Sequence, residues 1–273
     1  MTAIFRWHVL LAAVAAISLL GAADAGGVAT AAPRLRHVVV VVFENHEEDS
    51  IIGSADAPTF TSLARAYARA TDYTAVTHPS LPNYLALVSG STHGVTNDCT
   101  TCAQHGPTIG SQLSDRGQSW AAYAEGYPSA PRFAKKHVPF LYFRRDATHV
   151  KPLTALDPSR LPTFSFVVPD LCHDMHDCSV STGDAWLRTF IHPLLALKST
   201  AVFIAFDEGT STIGGGGKVA LIVAGSAVKP HSAYHAHVTH YGLLHTVEAL
   251  LGLPPIGHAA AAPVLTGIWA RSP

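Results

Sequence analysis

Charged side chains are scarce in this sequence, and the two signs nearly cancel. Asp, Glu, Lys and Arg make up 14% of the 273 residues, and 18 basic against 19 acidic residues leave a formal net charge of -1. Binding to the phosphate backbone of nucleic acid needs a basic surface. The composition therefore argues against nucleic acid as the main partner. The 48% of hydrophobic residues provides for one large domain with a sizeable core.

Long apolar runs are also scarce: one lies near the N-terminus, and nothing later is long and apolar enough to span a bilayer. Arg6 precedes an Ala- and Leu-rich stretch, residues 9–23. Small-x-small cleavage patterns follow, Ala-Asp-Ala at 23–25 and Ala-Thr-Ala at 29–31. An uncleaved membrane anchor is the alternative, but the run is short and no basic stop-transfer cluster follows it.

These features predict export. We expect residues 1–25 to be a signal peptide, with cleavage as late as residue 31 as the second option, and residues 26–36 to be a linker. The remaining residues, 37–273, are expected to form a single secreted domain with no stable membrane span after cleavage. The sequence does not determine the oligomeric state.

Cysteine is limited to four residues in two short pairs. Cys99 and Cys102 form C-T-T-C, and Cys172 and Cys178 bracket H-D-M-H-D. An even number of cysteines in an exported protein favours disulfides, whereas two short Cys pairs can also hold zinc. We predict local disulfides, 99 with 102 and 172 with 178, and the sequence leaves crossed pairing open.

The pattern along the rest of the chain alternates between strands and helices. Continuous apolar runs, typical of strands buried on both faces of a parallel sheet, lie at residues 37–43, 163–169, 201–206 and 219–224. Helical patterns lie at residues 59–67, 83–89, 182–197 and 241–251. This order predicts an α/β fold with a mostly parallel central sheet flanked by helices. The glycines at 214–217 are predicted to form a short exposed loop.

Two of the predicted strands end directly in polar pairs. Glu44-Asn45 follows the first strand, and Asp207-Glu208 follows the strand at 201–206. Ligands of open parallel sheets bind outside the carboxyl ends of strands. A lone carboxylate there often pairs with an Arg, but Glu beside Asn suits a hard cation. Adjacent carboxylates repel one another unless a cation or proton lies between them. We therefore predict that both pairs bind metal.

Residues 77–83, T-H-P-S-L-P-N, place Ser80 between two prolines and just before a predicted helix. A serine there is often simply a helix N-cap. The N-terminus of a helix also suits a phosphate, and a hydroxyl whose pKa is lowered by a metal or a base can act as a nucleophile. Asn83 is positioned to donate its side-chain amide to a phosphoryl oxygen. By itself this segment leaves both interpretations open.

Two further segments supply histidine. Four ligating side chains fall within five positions between two cysteines, namely His173, Asp174, His176 and Asp177. Their functional interpretation is a loop that contacts metal or phosphate, and the alternative is a solvated loop shaped by a disulfide. His240 precedes the last long helix. A capping or surface role and a position at the site are equally compatible with this place in the sequence.

In this order the segments resemble the bacterial phosphoesterase family, which groups secreted acid phosphatases with phospholipase C-type enzymes. That family belongs to the wider alkaline-phosphatase-like superfamily. The resemblance runs from residue 37 to about residue 269, and the long T-H-P-S-L-P-N-Y match is its most specific part. It is carried by V-V-V-F-E-N (40–45), A-D-A-P (55–58), T-H-P-S-L-P-N-Y-L-A-L (77–87), D-M-H-D (174–177), G-D-A-W-L (183–187), F-D-E (206–208) and T-H-Y (239–241).

The resemblance implies an alkaline-phosphatase-like core with roles for the matching residues. Ser80 matches the nucleophile, and Asn83 matches the residue that contacts a phosphoryl oxygen. His176 or His240 is expected to protonate the leaving oxygen. Positions near the phosphate or a second metal are matched by His78, Asp174, His176 and His240.

The implied metal ligands are Glu44, Asn45, Asp207 and Glu208, joined by the hydroxyl of Ser80. Two-zinc relatives have Asp-His after the late strand, whereas this chain has Asp-Glu. The chain also lacks their D-x-x-x-H motif, although Asp170 and Asp174 share its spacing. One divalent cation or two therefore remain open. The oxygen-rich set favours Mg, Ca or Mn, and participation of histidine admits Zn.

These observations predict a secreted, metal-dependent phosphomonoesterase of the acid phosphatase type that works through a phosphoserine. Its expected substrates are small-molecule or lipid-headgroup phosphate esters, including phosphoinositides. A phosphodiesterase or phospholipase C on the same core is the first alternative, and the lack of large inserted domains argues against it. A non-catalytic exported metal-binding protein is the second, and the intact Ser80 beside both acidic pairs argues against that.

Overall fold

The computed structural model describes residues 1–2 and 32–270, so residues 3–25 of the predicted signal peptide and residues 26–31 of the predicted linker lie outside the described residues. Within the described part, no helix is both long and apolar enough to cross a membrane. The strands are β1 (His37–Phe43), β2 (Ala68–Ala70), β3 (Tyr73–Thr74), β4 (Trp120–Ala124), β5 (Val150–Pro152), β6 (Phe164–Val168), β7 (Thr200–Phe206), β8 (Leu221–Ala224), β9 (Ser232–Tyr234) and β10 (Val238–Thr239). The helices are α1 (Glu48–Ile51), α2 (Pro58–Ala66), α3 (Ser80–Ser89), α4 (Ile109–Asp115), α5 (Val180–Leu195) and α6 (His240–Leu251).

The central sheet has eight strands in the order β5-β4-β6-β1-β7-β8-β2-β9. The predicted mostly parallel sheet is confirmed, because β5, β4, β6, β1 and β7 pair in parallel. The prediction for residues 219–224 is wrong in direction, since β8 runs antiparallel to β7 and β2. Parallel neighbours need a long crossover, usually a helix. The link from β7 to β8 is a glycine-rich loop without an α-helix, so the chain turns straight back.

Helices cover both faces of this sheet. Partners in register on parallel strands point to the same face, and Val40 of β1 pairs with Phe166 of β6. The ring of Tyr84 in α3 packs 6.4 Å from that of Phe166. Phe43 lies an odd number of residues from Val40 and so points to the other face, where it packs 5.0 Å from Phe60 of α2. Helices α3 and α6 therefore cover one face, and α2 and α5 cover the other.

The four predicted helices correspond to α2, α3, α5 and α6. Helix α3 begins at Ser80, three residues before the predicted start. Pro82 is tolerated there because N–H groups in a first turn have no helical partner. Strand β4 is missing from the prediction because W-A-A-Y-A is rich in alanine and lacks a β-branched run. Strands β2, β5 and β9 have three residues each, too few to give a pattern.

The two disulfides join the cysteines that are nearest in sequence, as expected. Cys99 is bonded to Cys102, and Cys172 is bonded to Cys178. The second bond closes the loop that carries residues 173–177 between β6 and α5. The four cysteines therefore form two disulfides and not the alternative zinc site.

The glycine-rich loop after β7 is packed more tightly than its sequence suggests. Gly214 and Gly215 are exposed as predicted, but Gly216 and Gly217 are buried. A Cβ atom on Gly216 would lie 2.3 Å from the carbonyl oxygen of Thr77. Glycine is needed at this position because the loop lies directly against the T-H-P-S segment.

Helix α6 buries a carboxyl group that makes the stability of the fold depend on pH. Glu248 is 0% exposed, its Oε1 accepts from the backbone N–H of Ile256 at 3.1 Å, and its Oε2 has no hydrogen-bond partner. Burial raises its pKa from 4.5 to about 8. The unfolded chain ionises at the lower value, so the contribution of this group is full below 4.5 and is lost as the pH rises through about 8.

Glu248→Gln is expected to remove this dependence, because the amide keeps the shape and has no proton to lose. At pH 8, near the folded pKa of about 8, the variant should be more stable than the parent by on the order of 2 kcal/mol. Denaturant unfolding across the acid-to-alkaline range measures the difference. An unchanged pH slope, equal to that of the exposed-site control Asp49→Asn, would contradict the prediction.

Candidate active site

The ends of β1 and β7 bring the two predicted acidic pairs together. Phe43 and Phe206 are in register, and the N–H of Asp207 donates to the carbonyl of Phe43 at 3.0 Å. Glu44 and Asp207 therefore leave neighbouring strands side by side, and both are 0% exposed. Asn45 turns the chain with a φ of 54° and donates its backbone N–H to Asp207 Oδ1 at 3.3 Å.

Helix α3 delivers Ser80 to these carboxylates. Ser80 is the first residue of the helix, and it is 1% exposed. Its hydroxyl lies 3.1 Å from Glu44 Oε2 and 3.2 Å from Glu208 Oε1, so a single donor faces two acceptors. The structure thus places the Ser80 hydroxyl beside Glu44 and Glu208, with Asp207 next to Glu44 at the carboxyl ends of the strands.

Burial raises the pKa of all three carboxyls in this cluster. For Glu44 burial is the largest cause, followed by the charges of Asp207 and Asp174. For Asp207 burial comes first and the neighbouring charge of Glu208 second. Burial also raises the pKa of Glu208. Each carboxylate is therefore costly to hold in its charged form without a compensating positive charge.

The residues fit a divalent cation. Asp207 Oδ2 is buried without a hydrogen-bond partner. Lys218, the basic residue next along the loop, pairs instead with Glu48 at 2.8 Å. The ammonium of Lys136 lowers the pKa of Glu44, but burial and neighbouring carboxylates outweigh it. Buried charges of this kind are paired or bind metal, and clustered carboxylate and hydroxyl oxygens are ligands for a hard cation.

His78 supports the cluster from the side of the glycine-rich loop. Its Nδ1 lies 2.6 Å from Glu208 Oε2, and its Nε2 donates to the carbonyl of Ser211 at 2.8 Å. The loop itself is held by Glu47, whose Oε1 accepts from the N–H of Thr210 and Ser211. His78 therefore lies beside the carboxylate cluster, with both ring nitrogens engaged by the protein.

Asn83 lies in the predicted place, but its amide is used by the loop before α3. Its Oδ1 accepts from the N–H groups of Val76 and Thr77, and its Nδ2 donates to the carbonyls of Thr77 and Pro79. It is 0% exposed. This arrangement does not support the predicted contact with a phosphoryl oxygen. Asn83 instead fixes the turn that presents Ser80.

His240 lies at the start of α6 and is 0% exposed. Its Nδ1 and the hydroxyl of Tyr73 are 2.5 Å apart, and its Nε2 donates to the carbonyl of Asp207, also at 2.5 Å. Burial lowers its pKa to about 4, which keeps the ring neutral. The predicted role as a proton donor is not supported, because both nitrogens are occupied inside the core. His240 holds the backbone of Asp207 in place.

The loop at 173–177 reaches the site through Asp174 and His176. Asp174 is 0% exposed, and its backbone carbonyl accepts from the N–H of Glu44 at 2.9 Å. Burial raises its pKa to about 7. His176 is exposed and its Nδ1 lies 2.7 Å from Asp177 Oδ1. His173 points elsewhere and contacts Glu125 at 2.9 Å.

Four further residues complete the site, and none of them is predicted from the sequence. Tyr84 lies one helical turn after Ser80, which is a usable signal, whereas the others come from loops without a recognisable pattern. The Tyr84 hydroxyl donates to Glu44 Oε1 at 2.5 Å. Asp98 Oδ1 accepts from the N–H of Leu81 at 3.0 Å, so it occupies a free N–H of the α3 N-terminus. The remaining two are Lys136, 3.0 Å from Asp98 Oδ2, and His137, 3.1 Å from Asp174 Oδ2.

Sequence comparisons connect this arrangement with phosphatases. The sequence profile of the Phosphoesterase family matches residues 54–254. Phosphatidylinositol-3-phosphatase of Mycobacterium tuberculosis is 37% identical over 281 aligned residues, which span 95% of this chain and 92% of that protein. An acid phosphatase of Aspergillus fumigatus is 28% identical over 68% of this chain and 49% of its own length. A phosphate-repressible acid phosphatase of Penicillium chrysogenum is 29% identical over 72% and 55%, so this chain spans about half of each fungal protein.

Solved structures share the fold at low identity. An alkaline phosphatase superfamily protein from Vibrio parahaemolyticus superposes with a TM-score of 0.61 at 13% identity, over 86% of this chain and 73% of that one. Human ectonucleotide pyrophosphatase/phosphodiesterase 5 superposes with a TM-score of 0.57 at 11% identity, over 81% and 96%. The predicted alkaline-phosphatase-like core is confirmed by these likenesses.

Proposed function

We propose that this chain is a divalent-cation-dependent phosphomonoesterase that acts through a phosphoserine on Ser80. The chain belongs to the phosphoesterase family and is a phosphoric ester hydrolase. One observation carries the proposal. The buried Ser80 hydroxyl lies between Glu44 Oε2 at 3.1 Å and Glu208 Oε1 at 3.2 Å, at the start of a helix. A hydroxyl with two carboxylate acceptors is oriented and can lose its proton within the site.

The residues that would hold the cation are Glu44, Asn45, Asp207 and Glu208, together with the Ser80 hydroxyl. A cation bound there supplies positive charge that lowers the pKa of the hydroxyl and offsets negative charge on the phosphoryl group. The supporting observations are the raised pKa values of the three carboxyls and the unpartnered Oδ2 of Asp207. An oxygen-rich set of this kind favours Mg, Ca or Mn.

The proposed reaction has two displacements at phosphorus. In the first, Ser80 Oγ bonds to phosphorus as the ester P–O bond breaks, and the Ser80 proton passes by way of the Glu208 carboxylate to the leaving alkoxide, which departs as the alcohol. In the second, water bonds to phosphorus as the Oγ–P bond breaks, one water proton passes by way of Glu208 to Ser80 Oγ, and inorganic phosphate leaves. His78 keeps Glu208 oriented through its 2.6 Å contact, and the positive end of α3 faces the phosphoryl group.

The proposed substrates are phosphate monoesters with exposed headgroups, phosphatidylinositol 3-phosphate among them. The support is the 37% identity, over nearly the whole chain, to a protein named for that activity. We also propose that the protein is exported, on the basis of the signal-peptide pattern at 1–25 and the two disulfides.

The direct test is a substrate panel on protein that has been stripped of metal and then re-supplied with one cation at a time. Metal-free protein is expected to be inactive on p-nitrophenyl phosphate and to regain activity with one or more of Mg, Ca, Mn and Zn. Rates on bis-p-nitrophenyl phosphate are expected to be lower than those on the monoester. Full activity without any cation would overturn the metal dependence, and faster diester cleavage would assign the site to a phosphodiesterase.

A further inference from the structure

A second group of ligating atoms lies next to the proposed cation site, on the other side of Glu44. One atom each from Glu44, His137 and His176 lies within 4.8 Å of the others. Glu44 and His137 are buried, and His176 is exposed. His137 has no role predicted from the sequence, and the proposed phosphoserine reaction does not use it.

The ring of His137 is fully buried and has one nitrogen without a partner. It is 0% exposed, and its Nδ1 donates to Asp174 Oδ2 at 3.1 Å. Its Nε2 lies 3.3 Å from Glu44 Oε1 but makes no hydrogen bond there. A buried polar atom without a hydrogen-bond partner is costly. We therefore expect the Nε2 of His137 to take a ligand on the side facing Glu44.

We propose that Glu44, His137 and His176 bind a second divalent cation of the zinc type, at a site distinct from the oxygen-rich cluster at Ser80. Two imidazoles and one carboxylate are a ligand set for a zinc ion that keeps one position open. The exposed position of His176 provides the path by which the ion enters. This inference rests on the proposed function in so far as the two sites share Glu44.

Asp174 gives His137 the environment of a metal-binding histidine. Histidine ligands donate their second ring N–H to a carboxylate or carbonyl, which fixes the tautomer and directs the free nitrogen at the metal. The contact from His137 Nδ1 to Asp174 Oδ2 has this form. Tyr84 stacks on the ring at 5.2 Å and 11°, which restricts its rotation. His137 is therefore held in one orientation, with Nε2 towards Glu44.

The two oxygens of Glu44 face different partners. Oε2 accepts from Ser80, and Oε1 lies near Tyr84 and His137. A carboxylate whose two oxygens face different partners can bind a cation at each site, one through each oxygen. The tyrosine hydroxyl uses one lone pair of Oε1, and the second lone pair remains for a cation.

Nearby charged side chains both oppose and favour cation binding at this site. Lys136 Nζ lies 3.4 Å from His176 Nε2, so a cation bound by that nitrogen has to displace the ammonium. Lys136 keeps its 3.0 Å ion pair with Asp98. Asp174 is buried behind His137, and its negative charge favours a cation. A nitrogen cannot hold a proton and a metal at once, so this assignment replaces the predicted proton donation by His176.

A second His–carboxylate cluster provides an internal control. Glu125, Asp170 and His173 also place ligating atoms within 4.8 Å of one another, but all three are half-buried. His173 Nδ1 contacts Glu125 at 2.9 Å, and Asp170 Oδ1 accepts from two backbone N–H groups. These atoms already satisfy each other, and we expect no tight cation binding there.

The test is equilibrium dialysis of metal-stripped full-length protein against Zn²⁺, with bound metal counted by elemental analysis. His137→Gln and His176→Gln are each expected to bind one equivalent fewer than the parent. Asp174→Asn should weaken that equivalent by about 10–100-fold, the usual effect of losing a carboxylate behind a histidine ligand. His173→Gln should match the parent. Absorption of the Co²⁺-loaded proteins gives a second measurement, since nitrogen ligation should be lost in the first two variants.

The outcomes separate this inference from the proposed function. Equal stoichiometry in His137→Gln, His176→Gln and the parent would overturn the second site, as would loss of the equivalent in His173→Gln alone. His176→Gln keeps the result interpretable if His137→Gln does not fold, because His176 is exposed. Ser80→Ala is expected to keep the second equivalent, so its loss of turnover reports on the Ser80 hydroxyl, as nucleophile and cation ligand, and not on the second site.

Discussion

Ser80→Ala is expected to lower kcat for p-nitrophenyl phosphate by about 10³-fold or more, because it removes the proposed nucleophile. The Oγ lies 3.1 Å from Glu44 Oε2 and 3.2 Å from Glu208 Oε1, and within the described part of the chain no other hydroxyl donates to both carboxylates. Steady-state rates at saturating cation measure the loss. Acid-quenched parent protein should also carry one phosphoryl group on the peptide that contains Ser80.

The matched control is Ser89→Ala in the same helix. Ser89 is buried too, but its hydroxyl donates to the carbonyl of Leu85 at 2.7 Å, at the opposite end of α3. Its loss is expected to affect stability and to leave turnover per folded molecule close to that of the parent. Undiminished turnover in Ser80→Ala, with a melting curve like that of the parent, would exclude the phosphoserine mechanism.

Asp207→Asn is expected to change activity and metal-free stability in opposite directions. The amide is a weaker cation ligand, so we expect a loss of about 10²-fold or more in kcat/KM at fixed cation concentration. Without metal the same change removes one of three clustered buried charges. The metal-free protein should then gain on the order of 1 kcal/mol in unfolding free energy.

Thermal melts with and without added cation test this pair of effects. The parent should be stabilised strongly by cation, and Asp207→Asn only weakly, because a ligand that binds the folded state raises stability more when its affinity is higher. Asp56→Asn, an exposed carboxylate outside the cluster, should behave like the parent. If Asp207→Asn lowered the metal-free melting temperature and kept the full cation shift, Asp207 would not be a ligand.

The parts of the fold that could be predicted are those with a strong local pattern. The β-branched run of β1 and the apolar runs of β6 and β7 predict buried parallel strands because such residues fit a sheet covered on both faces. The segment around Ser80 predicts that a helix follows, although α3 begins three residues before the predicted start. Strand β4 is alanine-rich, so no local pattern predicts its presence. Strand β8 runs back after a loop, so no local pattern predicts its antiparallel direction.

The sequence by itself determined which side chains end the strands: Glu44 after β1, Asp207 and Glu208 after β7, and Ser80 at the start of a helix. Parallel strands in one sheet bring such ends to one edge, so this much follows from order along the chain. The tertiary structure alone decided which neighbours meet them. His240 and Asn83, both predicted to act near the phosphate, turn inward to backbone groups, whereas His137 enters from the segment between β4 and β5. Hydrogen-bond partners far apart in sequence leave no local signal, because a buried polar atom is satisfied by whichever group the packing places beside it.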